Sequence, residues 1–111
     1  MNEKEYGTAY KDLTEEYFKL SDIINYEGVS YYVDTTYCSD VGRLETAVFN
    51  LKNPVPDDYN PFDDIDGFEN NVDWANEVYV KTHKDKSEAR RIHKQVCSHL
   101  EQTGKINNAL N

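Results

Sequence analysis

The segment over residues 52–73 most constrains the fold, because it is poorly suited to form regular structure by itself. It contains Pro54, Pro56 and Pro61, and residues 57–73 carry seven acids and no base. Like charges at this density repel one another and oppose a compact fold. A long connection of this kind inside a domain is commonly functional or disordered. The sequence therefore predicts an acidic loop over residues 52–73, inserted between the regular elements on either side of it.

Before this loop the spacing of apolar residues changes. Over residues 8–25 they recur at intervals of three and four, which predicts an amphipathic N-terminal helix that ends at Gly28. Its apolar stripe consists of Tyr10, Leu13, Tyr17, Leu20 and Ile24. Residues 29–38 alternate and predict a strand. Residues 39–43 favour a hairpin turn, and residues 44–51 are interpreted as the returning strand.

After the loop, the chain shows strand character at residues 77–83 and then a second helical pattern. Asp85 and Glu88 have the spacing of a capping box, and Gly104 is suited to end the helix. The apolar stripe of this helix consists of Ala89, Ile92, Val96 and Leu100. Residues 105–111 are interpreted as a frayed tail.

These elements predict a single α+β domain over residues 1–111. It would contain the N-terminal helix, a three-stranded antiparallel sheet with the long acidic loop, and the C-terminal helix packed on the sheet. With 21 acids against 12 bases, the net charge is −9, which argues against a general nucleic-acid binder. No apolar run is long enough to span a membrane, and the N-terminus lacks a secretory pattern. We therefore expect a cytoplasmic protein, with Cys38 and Cys97 as reduced thiols.

Two segments resemble small orphan proteins of tailed phages and prophages. The first, Leu44-Glu45-Thr46-Ala47-Val48-Phe49, resembles their ETMVF-like strand. The second runs from Val78 to Leu100 and is similar to their following strand and helix, with the pattern Glu88-Ala89-x-x-x-His93. The resemblance covers about half of the chain. It implies a phage or mobile-element origin, with action in the host cell, and it implies no catalytic mechanism.

Three side chains near the C-terminus raise the question of chemistry. His93 and Cys97 are four residues apart and share a helix face, and His83 becomes a third candidate ligand if its strand packs beside the helix. A structural zinc site needs four ligands, and a Cys and a His on one helix are poorly placed to attack a substrate. The sequence therefore favours packing for these residues and predicts no catalytic set, no metal and no cofactor.

The acidic loop offers a second interpretation as a metal site. Asp64, Asp66 and Gly67 match part of a calcium-binding loop. However, Phe62 stands where the first acid is needed, and Asp73 is shorter than the usual glutamate. Loose binding of a divalent ion by the carboxylates stays open as an alternative.

The pattern with the strongest functional signal is the interleaving of aromatic residues with these acids. Aromatic anchors surrounded by charge are typical of protein interfaces, and negative charge speeds encounter with a basic partner. The predicted partner-binding residues are Asp57, Asp58, Tyr59, Phe62, Asp63, Asp64, Asp66 and Phe68. We expect a non-enzymatic binding protein that docks on a basic host protein and inhibits or redirects it, in the sharper version by mimicking nucleic acid.

Three alternatives remain at this point. The acidic segment could be a solvated surface loop without a partner. The basic residues near the last helix could bind nucleic acid through phosphate contacts; they are Lys81, Lys84, Lys86, Arg90, Arg91 and Lys94. The apolar stripe of the N-terminal helix could also mediate self-association into a homodimer or a small structural protein.

Overall fold

The computed structural model describes residues 18–106. It contains four strands and two helices, in the order β1 (Lys19–Tyr26), β2 (Val29–Cys38), β3 (Arg43–Leu51), α1 (Ile65–Asn71), β4 (Val72–His83) and α2 (Lys86–Thr103). One turn of 3-10 helix, Pro61–Asp63, precedes α1. The strands form one antiparallel sheet in chain order, with β1 and β4 at the edges. The predicted α+β class, with an antiparallel sheet and a C-terminal helix, is confirmed.

Helix α2 covers one face of the sheet. The core between them consists of Ile24, Val33, Val48, Tyr79, Ile92, Val96, Cys97 and Leu100. The predicted ends of α2 are confirmed: the Asp85 carboxylate accepts a hydrogen bond of 2.8 Å from the Glu88 amide, and Gly104 ends the helix in the left-handed conformation. Neither helix in the described part of the chain is long and apolar enough to cross a membrane.

The segment between β3 and β4 covers part of the opposite face. Its apolar side chains pack on that face of the sheet, in a second core that consists of Tyr32, Ala47, Phe49, Leu51, Phe68 and Val72, with Ile23, Val55 and Tyr59 at its margin. Both faces of β2 are therefore buried, because alternate side chains of a strand point to opposite sides. An antiparallel sheet can leave one face in water, but here a long helix covers one face and the acidic segment covers part of the other.

The predicted N-terminal helix is wrong where the structure describes it. Residues 19–26 form β1, which pairs with β2 so that Leu20 lies opposite Thr35 and Ile24 opposite Tyr31. The remainder of the predicted helix, residues 8–17, lies outside the described residues. A spacing of four fits a helical stripe and also one face of a strand, so Leu20 and Ile24 satisfied both patterns. Both are buried in the core, and neither is available at the surface for self-association.

The predicted three-stranded sheet is corrected to four strands, and a second helix lies inside the acidic segment. β1 adds the fourth strand, and β4 begins at Val72 instead of residue 77. The early start follows from tertiary contacts, because Val72 is buried and pairs with Leu51 of β3. Two register shifts in the β3–β4 pairing make this pairing possible. Helix α1 begins after Asp64, whose side chain caps it by accepting from the Gly67 amide. The segment that matched a calcium loop is therefore a short helix.

The end of α2 gives a test of how the helix is fixed on the sheet. Gly28 and Gly104 both have positive φ, but a Cβ atom at Gly104 would overlap the ring of Tyr26, whereas one at Gly28 meets nothing within 4 Å. We expect Gly28→Ala to lower the free energy of unfolding by about 1–2 kcal/mol, the cost of a left-handed alanine. Gly104→Ala should lower it by clearly more, because Tyr26 or α2 must also move. Urea unfolding of both variants measures this difference, and equal losses would contradict it.

Candidate functional site

A cleft of 690 Å³ lies along β1, the edge strand of the sheet. β1 contributes nearly every residue from Lys19 to Asn25 to its lining, and the segment from Pro56 to Glu69 forms the opposite wall. Buried side chains at its base include Ile24, Tyr32 and Phe68. A cleft of this size is within the usual range for ligand sites and holds a few side chains of a partner.

Three large apolar side chains at the cleft are open to solvent. Phe62 is 78% exposed, Ile65 55% and Trp74 49%. Trp74 is nevertheless fixed in place, because its ring packs edge-on against Phe49 at 5.0 Å and against Tyr32 at 6.0 Å. Its indole nitrogen also donates to a backbone carbonyl of α1 at 2.9 Å. The cleft therefore exposes to solvent the ring of Trp74, which is fixed in place by its neighbours.

Carboxylates dominate the charge around this apolar surface. The acids that line the cleft are Asp22, Asp34, Asp57, Glu69 and Glu101, and among the described residues the one base in the lining is Lys19. That base lies 2.8 Å from the carboxylate of Asp34, so its charge is largely compensated. The net charge of the lining is negative, which favours a cationic ligand.

Hydrogen bonds to the sheet hold the wall of the cleft in position. The side-chain amide of Asn25 donates to the Val55 carbonyl at 3.0 Å and to the Asp57 carboxylate at 2.8 Å. The hydroxyl of Ser30 accepts from the Val55 amide at 3.0 Å. At the far end of the segment, the Lys52 amide donates to the Asn71 carbonyl at 2.6 Å. The acidic segment is thus tied to the sheet through Val55 and Asp57 and closed on itself between Lys52 and Asn71, so it is no structureless loop.

The predicted partner-binding residues divide into three groups. Asp57, Tyr59 and Phe62 line the cleft at or near its surface. Phe68 lines it too but is buried, 5.0 Å from the ring of Tyr32, so it supports the cleft from below. The others are exposed and outside the lining: Asp58, Asp63, Asp64 and Asp66. Sequence analysis missed Trp74 as an exposed anchor, although the single Trp beside the acidic run was a usable signal, and it left Ile65, which also interleaves the acids, out of the predicted set.

A line of hydrogen bonds is buried under the other face of the sheet, between its centre and α2. His83 Nε2 lies 2.7 Å from the hydroxyl of Thr46, which lies 2.6 Å from the hydroxyl of Thr35. The Thr35 hydroxyl lies 2.7 Å from His93 Nδ1. All four residues are at most 2% exposed, so each polar atom depends on its neighbours for a partner.

The two ends of this line are carboxylates. At one end His93 Nε2 lies 2.7 Å from Asp22 Oδ2, and Cys97 Sγ lies 3.9 Å from the same oxygen. At the other end His83 Nδ1 lies 3.8 Å from Glu88 Oε1, too far for a hydrogen bond. The sequence grouped His83, His93 and Cys97; the structure brings His93 and Cys97 together with Asp22 and connects His83 to them only through the two threonines.

Burial lowers the pKa of His83, and the neighbouring charges of Lys81 and Arg91 lower it further, against the opposing effect of Glu88. The His83 Nδ1 atom has no hydrogen-bond partner among the described residues. A neutral ring is therefore the form that fits this buried position.

Comparison with known proteins adds no relative to this description. The chain matches no protein-family model, no curated protein and no solved structure. The resemblance to phage orphan proteins stays a prediction.

The buried line predicts a sharp difference between two adjacent threonines. Thr35→Val removes a partner from both His93 and Thr46, and an unsatisfied buried polar group costs about 1–3 kcal/mol. Thr36, the next residue, is half-buried on the opposite face of the sheet, so Thr36→Val is the matched control. We expect urea unfolding to show this loss for Thr35→Val and a change within about 0.5 kcal/mol for Thr36→Val. Equal effects of the two substitutions would contradict the role assigned to Thr35.

The lowered pKa of His83 predicts a dependence of stability on pH. The unfolded chain takes up a proton near pH 6.5, above the pKa in the folded state. The stability that His83 contributes is therefore complete above pH 6.5 and is lost as the pH falls below that value. Urea unfolding at several pH values should show a smaller loss of stability between about pH 8 and pH 5 in His83→Gln than in the wild type. Parallel curves for the wild type and His83→Gln would refute this assignment.

Proposed function

We propose that the protein is a non-enzymatic binding protein whose cleft takes up a basic, extended segment of a partner protein. The observation that carries this proposal is the exposure of Phe62, Ile65 and Trp74 within a rim of carboxylates. Large apolar groups next to one another in a concave surface mark interaction sites more often than scattered surface residues do.

The apolar side chains supply the affinity in this proposal. Covering a large side chain fully is worth about 1.5–3 kcal/mol, and aromatic residues in pockets dominate interface energies. Trp74 is held by Phe49, Tyr32 and a hydrogen bond to the carbonyl of Glu69, so binding costs little additional ordering there. Such a fixed surface can bind a flexible segment without rearranging itself.

The carboxylates select the chemistry of the partner. An arginine side chain can stack its planar cation on an aromatic ring while it pairs with a carboxylate at the rim. Asp57 and Glu69 stand beside the aromatic wall, and Asp22 and Glu101 lie on the side of α2. A segment that carries arginine or lysine between apolar residues therefore matches both the wall and the rim.

The open edge of β1 favours an extended conformation for that segment. β1 pairs with β2 on one side, and among the described residues no strand pairs with its other side. Main-chain groups at such an edge can hydrogen-bond an added strand, while pockets on either side take its alternate side chains. The cleft runs along this edge, so backbone pairing and side-chain recognition act at the same place.

Basic extended segments of this kind are common where proteins bind nucleic acid. A protein that occupies such a segment competes with the polyanion for it and thereby inhibits or redirects the partner. This is the activity that we assign to the chain, with a basic protein of the host cell as its target.

Trp74 provides a direct test, because it is the one Trp of the chain and lies at the cleft. Titration with a synthetic peptide of alternating Arg and Leu should change its fluorescence. Phe62→Ala should weaken this binding by about tenfold or more, the effect of losing an interface anchor. Val41→Ala, at another exposed apolar residue in the β2–β3 turn, is the matched control and should bind like the wild type.

The charge requirement is tested in the same assay. The double variant Asp57→Asn, Glu69→Gln should bind the Arg–Leu peptide more weakly and with less dependence on salt, whereas Asp40→Asn in the β2–β3 turn should not. A peptide with Glu in place of Arg should not bind. Equal binding of the two peptides, or an unchanged affinity of Phe62→Ala, would refute the proposed function.

A further inference from the structure

Three potential metal ligands meet below the cleft, at one end of the buried line of hydrogen bonds. Asp22 Oδ2, His93 Nε2 and Cys97 Sγ all lie within 4.8 Å of one another. Asp22 comes from β1, and the other two are four residues apart on α2. His93 and Cys97 are buried, whereas the Asp22 side chain is 21% exposed and lines the cleft. An ion can therefore reach the group from the side of Asp22.

We propose that Asp22, His93 and Cys97 bind a zinc ion, with the remaining coordination position open toward the cleft. Nitrogen, oxygen and thiolate sulfur in one group are the ligand set of zinc, whereas magnesium and calcium require oxygen ligands. Around tetrahedral zinc, neighbouring ligand atoms lie about 3.3–3.6 Å apart. The present distances of 2.7 Å and 3.9 Å from Asp22 Oδ2 lie on either side of that range. The third pair, His93 Nε2 and Cys97 Sγ, lies within 4.8 Å, so zinc would draw the side chains together by roughly 1 Å to reach the tetrahedral spacing.

The charges of the group balance those of the ion. The carboxylate of Asp22 and the thiolate of Cys97 together carry two negative charges, and neutral His93 adds none. Zinc therefore leaves the site without net charge, which removes the main penalty of burying an ion. Binding releases one proton to solvent, from the thiol of Cys97. The proton that His93 holds on Nε2 when it donates to Asp22 is relocated to Nδ1, and the coordinating nitrogen keeps its lone pair.

The surroundings of His93 already have the form that a zinc ligand requires. A coordinating histidine commonly donates its other ring N–H to an oxygen, which fixes the orientation of the ring. Here the Thr35 hydroxyl lies 2.7 Å from Nδ1 and can accept from its N–H, and that hydroxyl can in turn donate to Thr46. Thr46 then donates to Nε2 of His83, and the Nδ1–H of His83 points toward Glu88. With zinc on His93, the three hydrogen bonds from His93 through Thr35 and Thr46 to His83 all run in one direction.

The test uses the untagged full chain, reduced and treated with chelator, and titrated with zinc against a chromophoric competitor. We expect one zinc ion per chain, no competition from magnesium and a higher melting temperature in zinc. Thr35→Val removes a hydrogen-bond partner of a zinc ligand and should lower the zinc affinity by about 10–100-fold. Cys97→Ala removes a ligand itself and should lower the affinity by more than that. Cys38→Ala, at the other cysteine, should bind like the wild type.

Substitution of cobalt for zinc distinguishes a ligand from a residue that only supports the fold, because only a thiolate bound to the metal gives thiolate–cobalt absorption. The cobalt-loaded wild type and Cys38→Ala should both show the absorption of a thiolate–cobalt bond, and Cys97→Ala should not. If Cys97→Ala fails to fold, Asp22→Asn is the second variant, and protection of Cys97 from alkylation by zinc in Cys38→Ala is the second measurement. Absence of zinc from the wild type, or equal zinc affinity of Cys97→Ala and Cys38→Ala, would overturn the proposal. These outcomes are independent of peptide binding in the cleft.

Discussion

The buried line of hydrogen bonds between the sheet and α2 determines how the rest of the molecule is arranged. Thr35, Thr46 and His83 place polar atoms at the middle of a face that apolar side chains would fill at less cost. The bond from Thr35 to His93 joins this network to α2 and forms only when the helix presents His93 at that position, so the network fixes the helix in register. Tyr31 extends this control to the helix end, where its hydroxyl donates to the Gly104 carbonyl at 2.8 Å.

Because α2 takes one face, the apolar side chains on the other face pack against the segment between β3 and β4. That segment can spare few apolar residues among its acids, and it covers the sheet only around Phe68 and Val55. The carboxylates stay at its outer surface, where water solvates them. Cover is incomplete along β1, and the cleft is the gap that results. The same scarcity of apolar residues that makes the segment a weak cover also makes the rim of the cleft acidic.

Local signals in the sequence were sufficient for β2, β3, their turn and α2. Alternation over residues 29–38 and the cap at Asp85 each depend on neighbours within a few residues, and the structure confirms both. β1 was wrong because its buried residues are four apart, a spacing at which the periods of helix and strand coincide. The early start of β4 depends on the contact of Val72 with Leu51, which no local pattern records.

The candidate site was harder to predict because it is assembled across the sheet. Phe62 and Asp57 could be selected from their own segment, but Trp74 belongs to the cleft only because β4 packs its ring on Tyr32 and Phe49. The error in β1 had the larger effect. A helix would have placed Asp22 away from the apolar stripe, at the surface, whereas a strand sends adjacent side chains to opposite faces. β1 therefore delivers Asp22 to His93 on one side and Ile23 to the second core on the other. Because residues 19–26 were predicted as a helix, neither the cluster of Asp22, His93 and Cys97 nor the strand edge along the cleft could be predicted.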